Sequence, residues 1–236
     1  MEPTTIKRFF HRIFQNFLMS FPALSEISLA KSKVVNFLRV WHYLSRAKVS
    51  GDYLEFGVFE GMSFDLSLSS AKRFFSQSLA DSPKFYAFDS FRGLPDNHLT
   101  RDSNVFEKGT YKAVLEKFKK NIQKNSRGWE VKIIEGFYQD SLKKEIINEN
   151  SIKSASFVNI DCDLYESTLL ALKFTTPLLK TGSVIFFDDW YSSGGDMRLG
   201  EAGACADWLL ENDKIKLIDY GDVGIMGKLF IVNMRN

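Results

Sequence analysis

Four aspartates lie at the ends of two short apolar runs that read as β-strands. The runs cover residues 157–160 and 184–187, and the acids that follow them are Asp161, Asp163, Asp188 and Asp189. A helical pattern over residues 166–179 connects the two runs, so the segment predicts a strand, a helix and a second strand. In an open parallel sheet, the carboxyl ends of neighbouring strands line the ligand crevice. Four ionised carboxylates at short range need a counter-charge, and a divalent cation is the simplest one.

A glycine-containing turn precedes this segment and could hold a cofactor. Gly57 follows a predicted strand at residues 53–56, and Gly61 opens a helix that continues to about residue 75. Glycines let the backbone approach a ligand there and direct N–H groups of the helix start towards it. The spacing is a loose variant of the dinucleotide-binding motif, but Phe59 stands where that motif has its central glycine. The reduced space for a pyrophosphate favours a ligand with a carboxylate and no phosphate, although many strand-to-helix turns contain glycine for geometry alone.

Asp89 lies at the end of the next predicted strand, which covers residues 85–88. An acid in that position accepts hydrogen bonds from the hydroxyls of a ribose, or it caps the turn over residues 90–93. The glycine turn on the preceding strand favours the ribose. Phe137 follows a third predicted strand, residues 130–134, and could stack on a purine or pack in the core.

Length and composition limit the remaining possibilities. The chain has 236 residues, which suits a single α/β domain with a sizeable core. Its net charge of +2 gives no reason to expect a nucleic-acid partner. The two cysteines, Cys162 and Cys205, match no zinc-binding spacing and are predicted to be buried thiols in a reducing compartment, the cytoplasm. No apolar run is long enough for a transmembrane helix, so none is expected.

The N-terminal segment is basic and rich in aromatic residues. Residues 1–48 hold eight basic and two acidic residues, so the remainder of the chain is mildly acidic, with a net charge of about −4. Apolar residues at helical spacing over residues 5–21 predict a basic amphipathic helix, which Pro22 interrupts. Such a helix could dock on an anionic membrane surface, or pack on its own domain or on a second subunit. We favour packing within protein, and we expect a homodimer.

Predicted strands and helices alternate through the rest of the chain, which ends in a β-hairpin. The other predicted elements are helices at residues 29–47, 111–123, 140–148 and 202–211 and strands at residues 215–220 and 228–232. This arrangement resembles the class I methyltransferase fold, a Rossmann-like α/β fold whose seven-stranded, mostly parallel sheet has an antiparallel last strand and helices on both faces. We therefore divide the chain into an N-terminal helical extension, residues 1–48, and a methyltransferase domain, residues 49–236.

Four local sequences, in this order, are similar to the macrocin O-methyltransferase family. They are LEFGVFEGMS (54–63), FDSFRGLP (88–95), DCDLYEST (161–168) and GSVIFFDDW (182–190). The resemblance covers residues 50–235. It implies a metal-dependent enzyme that transfers a methyl group from S-adenosylmethionine to a hydroxyl of a sugar or a glycosylated small molecule.

The resemblance also implies a role for each matching residue. The expected cofactor-binding residues are Glu55, Gly57, Val58, Gly61, Ser63, Asp89, Gly136 and Phe137. The expected Mg²⁺ ligands are Asp161, Asp188 and Asp189, and the expected catalytic residues are Asp161 and Asp163. Asp163 would act as the general base or as the hydrogen-bond partner of the substrate hydroxyl.

Three other functions are weighed against this one. A methyltransferase of the same fold could act on a phenolic, catechol-like acceptor, but such enzymes usually have a lysine after the first metal-binding aspartate and Asp-Asn at the second site. A non-catalytic, membrane-peripheral module could bind the cofactor and dock through its basic helix. The retention of every acid at the crevice argues against this second function. A nicotinamide oxidoreductase fits poorly, because the central glycine is missing and the acid cluster has no role in it.

Overall fold

The central feature of the fold is a seven-stranded sheet. A computed structural model of the chain describes residues 22–76, 82–95, 101–102 and 107–235, with side chains from residue 33 onwards. Within these ranges the strands are β1 Asp52–Phe56, β2 Phe85–Asp89, β3 Val131–Glu135, β4 Ala155–Ile160, β5 Val184–Phe187, β6 Ile215–Val223 and β7 Gly227–Met234. Their order is β3-β2-β1-β4-β5-β7-β6, and β7 runs in the opposite direction to the other six strands. This topology confirms the predicted class I methyltransferase sheet.

Helices cover both faces of this sheet. In the described ranges they are α1 Pro22–Arg46, α2 Met62–Ala71, α3 Leu115–Ile122, α4 Tyr138–Ser141, α5 Lys144–Glu149, α6 Tyr165–Thr175 and α7 Gly200–Glu211, with a 3₁₀ turn at Thr176–Leu178. The predicted helix over residues 5–21 lies outside the described residues.

Several helix boundaries differ from the predicted ones for identifiable reasons. Within the described residues α1 begins at Pro22, ahead of the predicted start at residue 29, and proline is tolerated at a first helical position because that position needs no backbone N–H donor. α6 ends at Thr175 and not at residue 179, because Pro177 cannot donate the next helical hydrogen bond and a 3₁₀ turn follows. The predicted helix over residues 140–148 is divided into α4 and α5.

Two hydrophobic cores lie on opposite faces of the sheet, because successive strand residues point to alternate sides. Leu54 and Phe56 of β1 contribute to the core beneath α6 and α7, whereas Tyr53 contributes to the core beneath α1 and α2. Both cysteines are buried free thiols, as predicted.

The side chains of α1 pack directly on the sheet. Phe37, Val40, Trp41 and Leu44 are buried at helical spacing, and the Trp41 indole N–H donates a hydrogen bond to the Ser67 hydroxyl at 3.0 Å. Val34, one turn earlier on α1, is exposed. The core therefore fixes the position of α1, and this limits how far the other side chains of that helix can move. No helix among the described residues is long and apolar enough to cross a bilayer.

Candidate active site

A cavity of about 640 Å³ opens at the carboxyl ends of the parallel strands. This volume lies within the range of small-molecule sites, and the position is where open α/β sheets bind ligands. Its lining includes most of the predicted site residues: Gly57, Val58, Ser63, Asp89, Gly136, Phe137, Asp161, Asp163, Asp188 and Asp189. Glu55 and Gly61 lie just outside this lining. The fold thus brings together residues from five strand ends that are up to 132 positions apart in the chain.

The glycine turn after β1 is in contact with the acid loop after β4. Gly57 has a φ of +85°, and a Cβ atom added to it would lie 1.7 Å from the carbonyl oxygen of Asp161. The Asp161 N–H donates to the Phe56 carbonyl at 2.9 Å, and the Gly57 N–H donates to the Phe88 carbonyl at 2.9 Å. Gly57 therefore permits a left-handed turn and also a backbone approach that no side chain would allow.

Asp89 holds this turn in place. One of its carboxylate oxygens, Oδ2, accepts hydrogen bonds from the N–H groups of Val58 and Phe59 at 2.8 and 2.9 Å. The other, Oδ1, accepts the N–H of Phe91 at 2.7 Å, so Asp89 also caps its own turn. Burial raises the pKa of Asp89, and these backbone donors oppose that rise. Asp89 also lines the cavity, next to the backbone groups that it holds.

Glu55 lies beneath the turn, in the protein interior. It is fully buried and accepts hydrogen bonds from the hydroxyls of Tyr53 and Ser63. Burial raises the pKa of Glu55 to about 7, although the two hydroxyl donors oppose the rise. Ser63 reaches the cavity, but its hydroxyl proton is committed to Glu55. Glu55 is thus placed to orient the start of α2.

The acid cluster lies at the tips of β4 and β5. One carboxylate oxygen from each of Asp161, Asp188 and Asp189 can lie within 4.8 Å of the others. Burial, followed by the charge of Asp188, raises the pKa of Asp161 well above its ordinary value. Asp163 has a left-handed backbone, with a φ of 63°. Its pKa is raised to about 9, first by burial and then by the neighbouring Asp189 carboxylate. The raised pKa values of Asp161 and Asp163 show that neighbouring carboxylates oppose their ionisation.

Comparison with known proteins identifies the family to which this geometry belongs. A model of the macrocin-O-methyltransferase (TylF) family matches residues 16–201, about four fifths of the chain. The chain belongs to this family. It is an O-methyltransferase. No curated protein matches the chain significantly.

Solved structures share the fold of this O-methyltransferase at low sequence identity. The O-methyltransferase NovP is 20% identical with a TM-score of 0.67, over 87% of this chain and 80% of its own. The calicheamicin methyltransferase CalS11 is 16% identical with a TM-score of 0.66, over 84% of this chain and 77% of its own. An O-methyltransferase from Bacillus cereus, solved with S-adenosylhomocysteine (SAH), is 13% identical with a TM-score of 0.55, over 86% of this chain and 81% of its own. At these identities the likeness shows the fold alone.

Two charged residues of this O-methyltransferase site were missed by sequence reasoning. Lys33 of α1 places its Nζ 2.9 Å from Asp188 Oδ2 and 3.5 Å from Asp161 Oδ2. Glu201, in the first turn of α7, is fully buried and accepts the Asp189 N–H at 2.9 Å. Lys33 is 128 positions before Asp161, and no local sequence pattern indicates that it belongs to the site. The sequence gives a weak indication for Glu201, because it is the lone acid in the first turn of an apolar helix.

The entrance of the cavity is bordered by aromatic side chains. Phe59 and Tyr111 are 40% and 53% exposed, and their rings form an edge-to-face pair with centroids 6.0 Å apart. Both rings line the cavity. Aromatic faces of this kind pack against the C–H faces of sugar rings or against other apolar groups. These two rings therefore give the cavity an exposed aromatic surface.

Proposed function

We propose that this enzyme transfers the methyl group of S-adenosylmethionine to a hydroxyl of a sugar or glycosylated small molecule, with Mg²⁺ at the acid cluster. The observation that carries the proposal is the position of that cluster, which shares one cavity with the glycine turn and Asp89. The family is named for a macrocin O-methyltransferase, and CalS11 is described as a TDP-rhamnose 3'-O-methyltransferase. Both descriptions support a glycosidic acceptor.

The residues of the cluster fit a hard divalent cation. Their donors are carboxylate oxygens, which Mg²⁺ prefers, and those of Asp161, Asp188 and Asp189 converge within 4.8 Å. A cationic group already lies between two of them, because the Lys33 ammonium contacts Asp161 and Asp188. When bound, Mg²⁺ would lower the pKa of an acceptor hydroxyl and orient its oxygen.

The remaining steps belong to side chains of the enzyme. The glycine turn and Asp89 would hold the methionine and ribose parts of the cofactor, and Gly136 and Phe137 would lie beside its adenine. The acceptor oxygen attacks the methyl carbon in line with the departing sulfur, so the C–S bond breaks as the C–O bond forms. The sulfur keeps the electron pair, and SAH leaves as a neutral thioether. We assign the hydroxyl proton to Asp163, which lines the same cavity. Its raised pKa makes its carboxylate a stronger base than an ordinary aspartate, and a bound cation would favour that ionised form.

Turnover with a panel of acceptors tests the proposal. SAH release would be measured with nucleotide sugars, simple glycosides and catechols, each with Mg²⁺ and with EDTA. We expect release with a glycosidic acceptor, loss of release in EDTA and recovery with Mg²⁺. Turnover restricted to catechols would show that the acceptor is a phenol and not a sugar. Turnover unaffected by EDTA would show that the reaction does not need the metal.

Compartment and assembly are also part of the proposal. The two buried free thiols support a reducing compartment such as the cytoplasm. The aromatic-rich N-terminal segment supports a homodimer, with membrane contact as the less favoured alternative. Light scattering across micromolar concentrations would test this, and a monomer mass throughout would contradict the dimer.

A further inference from the structure

Lys33 contributes a positive charge to the acid cluster from outside the four sequence motifs. It lies on α1, and its ammonium bridges one oxygen each of Asp161 and Asp188, at 3.5 and 2.9 Å. The side chain is 27% exposed, so it lies partly under the protein surface. These two carboxylates are also two of the three that converge to form the candidate metal site. The lysine and a metal ion would therefore use the same two carboxylates.

The surroundings of Lys33 favour its charged form. Burial alone would lower the pKa of its ammonium, but the carboxylates of Asp161 and Asp188, with a smaller effect of Glu55, raise it above the ordinary value. The ring of Phe186 lies beneath the ammonium, with its centroid 5.6 Å from Nζ. A cation over an aromatic face gains further stabilisation. Lys33 is thus held at the cluster by two ion pairs and a ring contact.

A metal ion and the Lys33 ammonium cannot both occupy this position. Mg²⁺ binds carboxylate oxygens at about 2.0–2.1 Å. An ion coordinated by Asp161 and Asp188 would therefore lie within a few ångströms of an ammonium that contacts the same carboxylates. Two like charges at that separation repel, and the repulsion is weakly screened in a partly buried site. Metal binding is therefore expected to displace the ammonium from the shared carboxylates.

We propose that Lys33 is a built-in counter-ion that occupies the acid cluster until a divalent cation displaces it, and so weakens metal binding. This inference rests on the proposed metal site. Phe37 and Trp41 bury α1 against the sheet, so displacement moves the Lys33 side chain and leaves the helix in place. The metal-free enzyme then avoids an uncompensated acid cluster. When the metal is bound, the released ammonium would remain at the cavity, because Lys33 is part of its lining.

Metal titration of the full-length, cofactor-free protein tests this inference. Isothermal calorimetry with Mg²⁺, and with Mn²⁺ as a second probe, would compare wild type with Lys33→Gln, Lys33→Arg and Lys228→Gln. Lys228 is the matched control, because its ammonium also bridges two aspartates, Asp219 and Asp222 at 2.8 and 3.0 Å, on the β6–β7 hairpin. We expect Lys33→Gln to bind metal about tenfold or more tightly than wild type, a change of about 1.4 kcal/mol or more. Lys33→Arg and Lys228→Gln are expected to show no gain in affinity.

Thermal unfolding provides a readout that does not depend on calorimetric heats. Without metal, Lys33→Gln is expected to unfold at a lower temperature than wild type, because the acids lose their counter-ion. Added Mg²⁺ should raise its unfolding temperature by more than it raises that of wild type. If wild type binds metal and Lys33→Gln binds it equally or more weakly, Lys33 is not a competitor and the inference is wrong. If no variant binds metal while SAH still binds, the metal site of the proposed function fails and the inference fails with it.

Discussion

The substitution Gly57→Ala tests the contact between the cofactor turn and the acid loop. A methyl group at position 57 would lie 1.7 Å from the Asp161 carbonyl oxygen and 2.7 Å from its carbonyl carbon. Both atoms belong to the backbone, so no side-chain rotation can relieve the overlap. The β1 tip and the β4 tip would have to separate by more than an ångström. The Asp161 N–H bond to the Phe56 carbonyl, now 2.9 Å long, would then be strained or lost.

The size of the effect follows from three contributions. The left-handed φ of +85° costs an alanine about 1–2 kcal/mol. A lost backbone hydrogen bond costs about 1 kcal/mol, and overpacking typically costs about 1–3 kcal/mol. We therefore expect Gly57→Ala to lower the free energy of unfolding by about 3–6 kcal/mol. Because the movement displaces both the turn and Asp161, SAH affinity and metal affinity should fall as well.

A matched control separates the steric overlap from the backbone conformation. Gly195 has a φ of +81°, and an added Cβ atom there would meet nothing within 4 Å. Gly195→Ala should therefore lose about 1–2 kcal/mol through its backbone conformation alone. Urea unfolding followed by circular dichroism measures both variants, and calorimetry measures their SAH affinity. Equal destabilisation of the two variants, with wild-type SAH binding by Gly57→Ala, would refute the close approach of the two loops.

Three further predictions concern the buried acids. The pKa of Glu55 is raised to about 7, so the folded state holds its proton more tightly than the unfolded state, and stability falls as pH rises from about 4.5 to about 7. Glu55→Gln removes this penalty and should stabilise the protein at pH 8 by about 2–3 kcal/mol more than at pH 5, and an equal effect at both pH values in urea unfolding would contradict the raised pKa. Burial raises the pKa of Glu201 well above its ordinary value, so Glu201→Gln should change the free energy of unfolding little. Glu201→Ala, which leaves the Asp189 N–H unpaired, should lose about 2–4 kcal/mol in the same assay, and equal stability of the two variants would be inconsistent with this. Asp163→Asn should lower kcat about a hundredfold or more with SAH affinity unchanged, and near-wild-type SAH release would exclude Asp163 as the proton acceptor.

The sequence predicts the strand ends well because local patterns determine them. The apolar runs before Asp89, Asp161 and Asp188 are short and end in acids, and the fold brings those ends to one edge of the sheet. The turn glycines were predicted from chain geometry. Gly57 admits no side chain because it contacts the Asp161 carbonyl. That contact depends on the pairing of β1 with β4, so only the fold reveals it.

Other features depend on contacts between distant parts of the chain. Lys33 reaches the acid cluster because burial of Phe37 and Trp41 sets the rotation of α1, and no local signal at position 33 reveals this. Glu201 supports the Asp188–Asp189 turn because its carboxylate accepts the Asp189 N–H. A loop separates the two residues in the chain. The sequence predicts two alternative roles for Asp89, which are binding of a ribose and capping of its own turn. The structure shows that its carboxylate caps the turn and still lines the cavity.

Calorimetric binding of SAH to wild type and to Asp89→Ala tests whether this cavity holds the cofactor. The titration would be run with Mg²⁺ and with EDTA, and Asp213→Ala, which removes an exposed acid between α7 and β6, would serve as the control. We expect micromolar binding by wild type and Asp213→Ala, loss of binding in folded Asp89→Ala, and little effect of EDTA, because the metal serves the acceptor. Absence of SAH binding by the folded wild type would contradict a cofactor site at this cavity, and unchanged binding by Asp89→Ala would contradict the role of Asp89 in it.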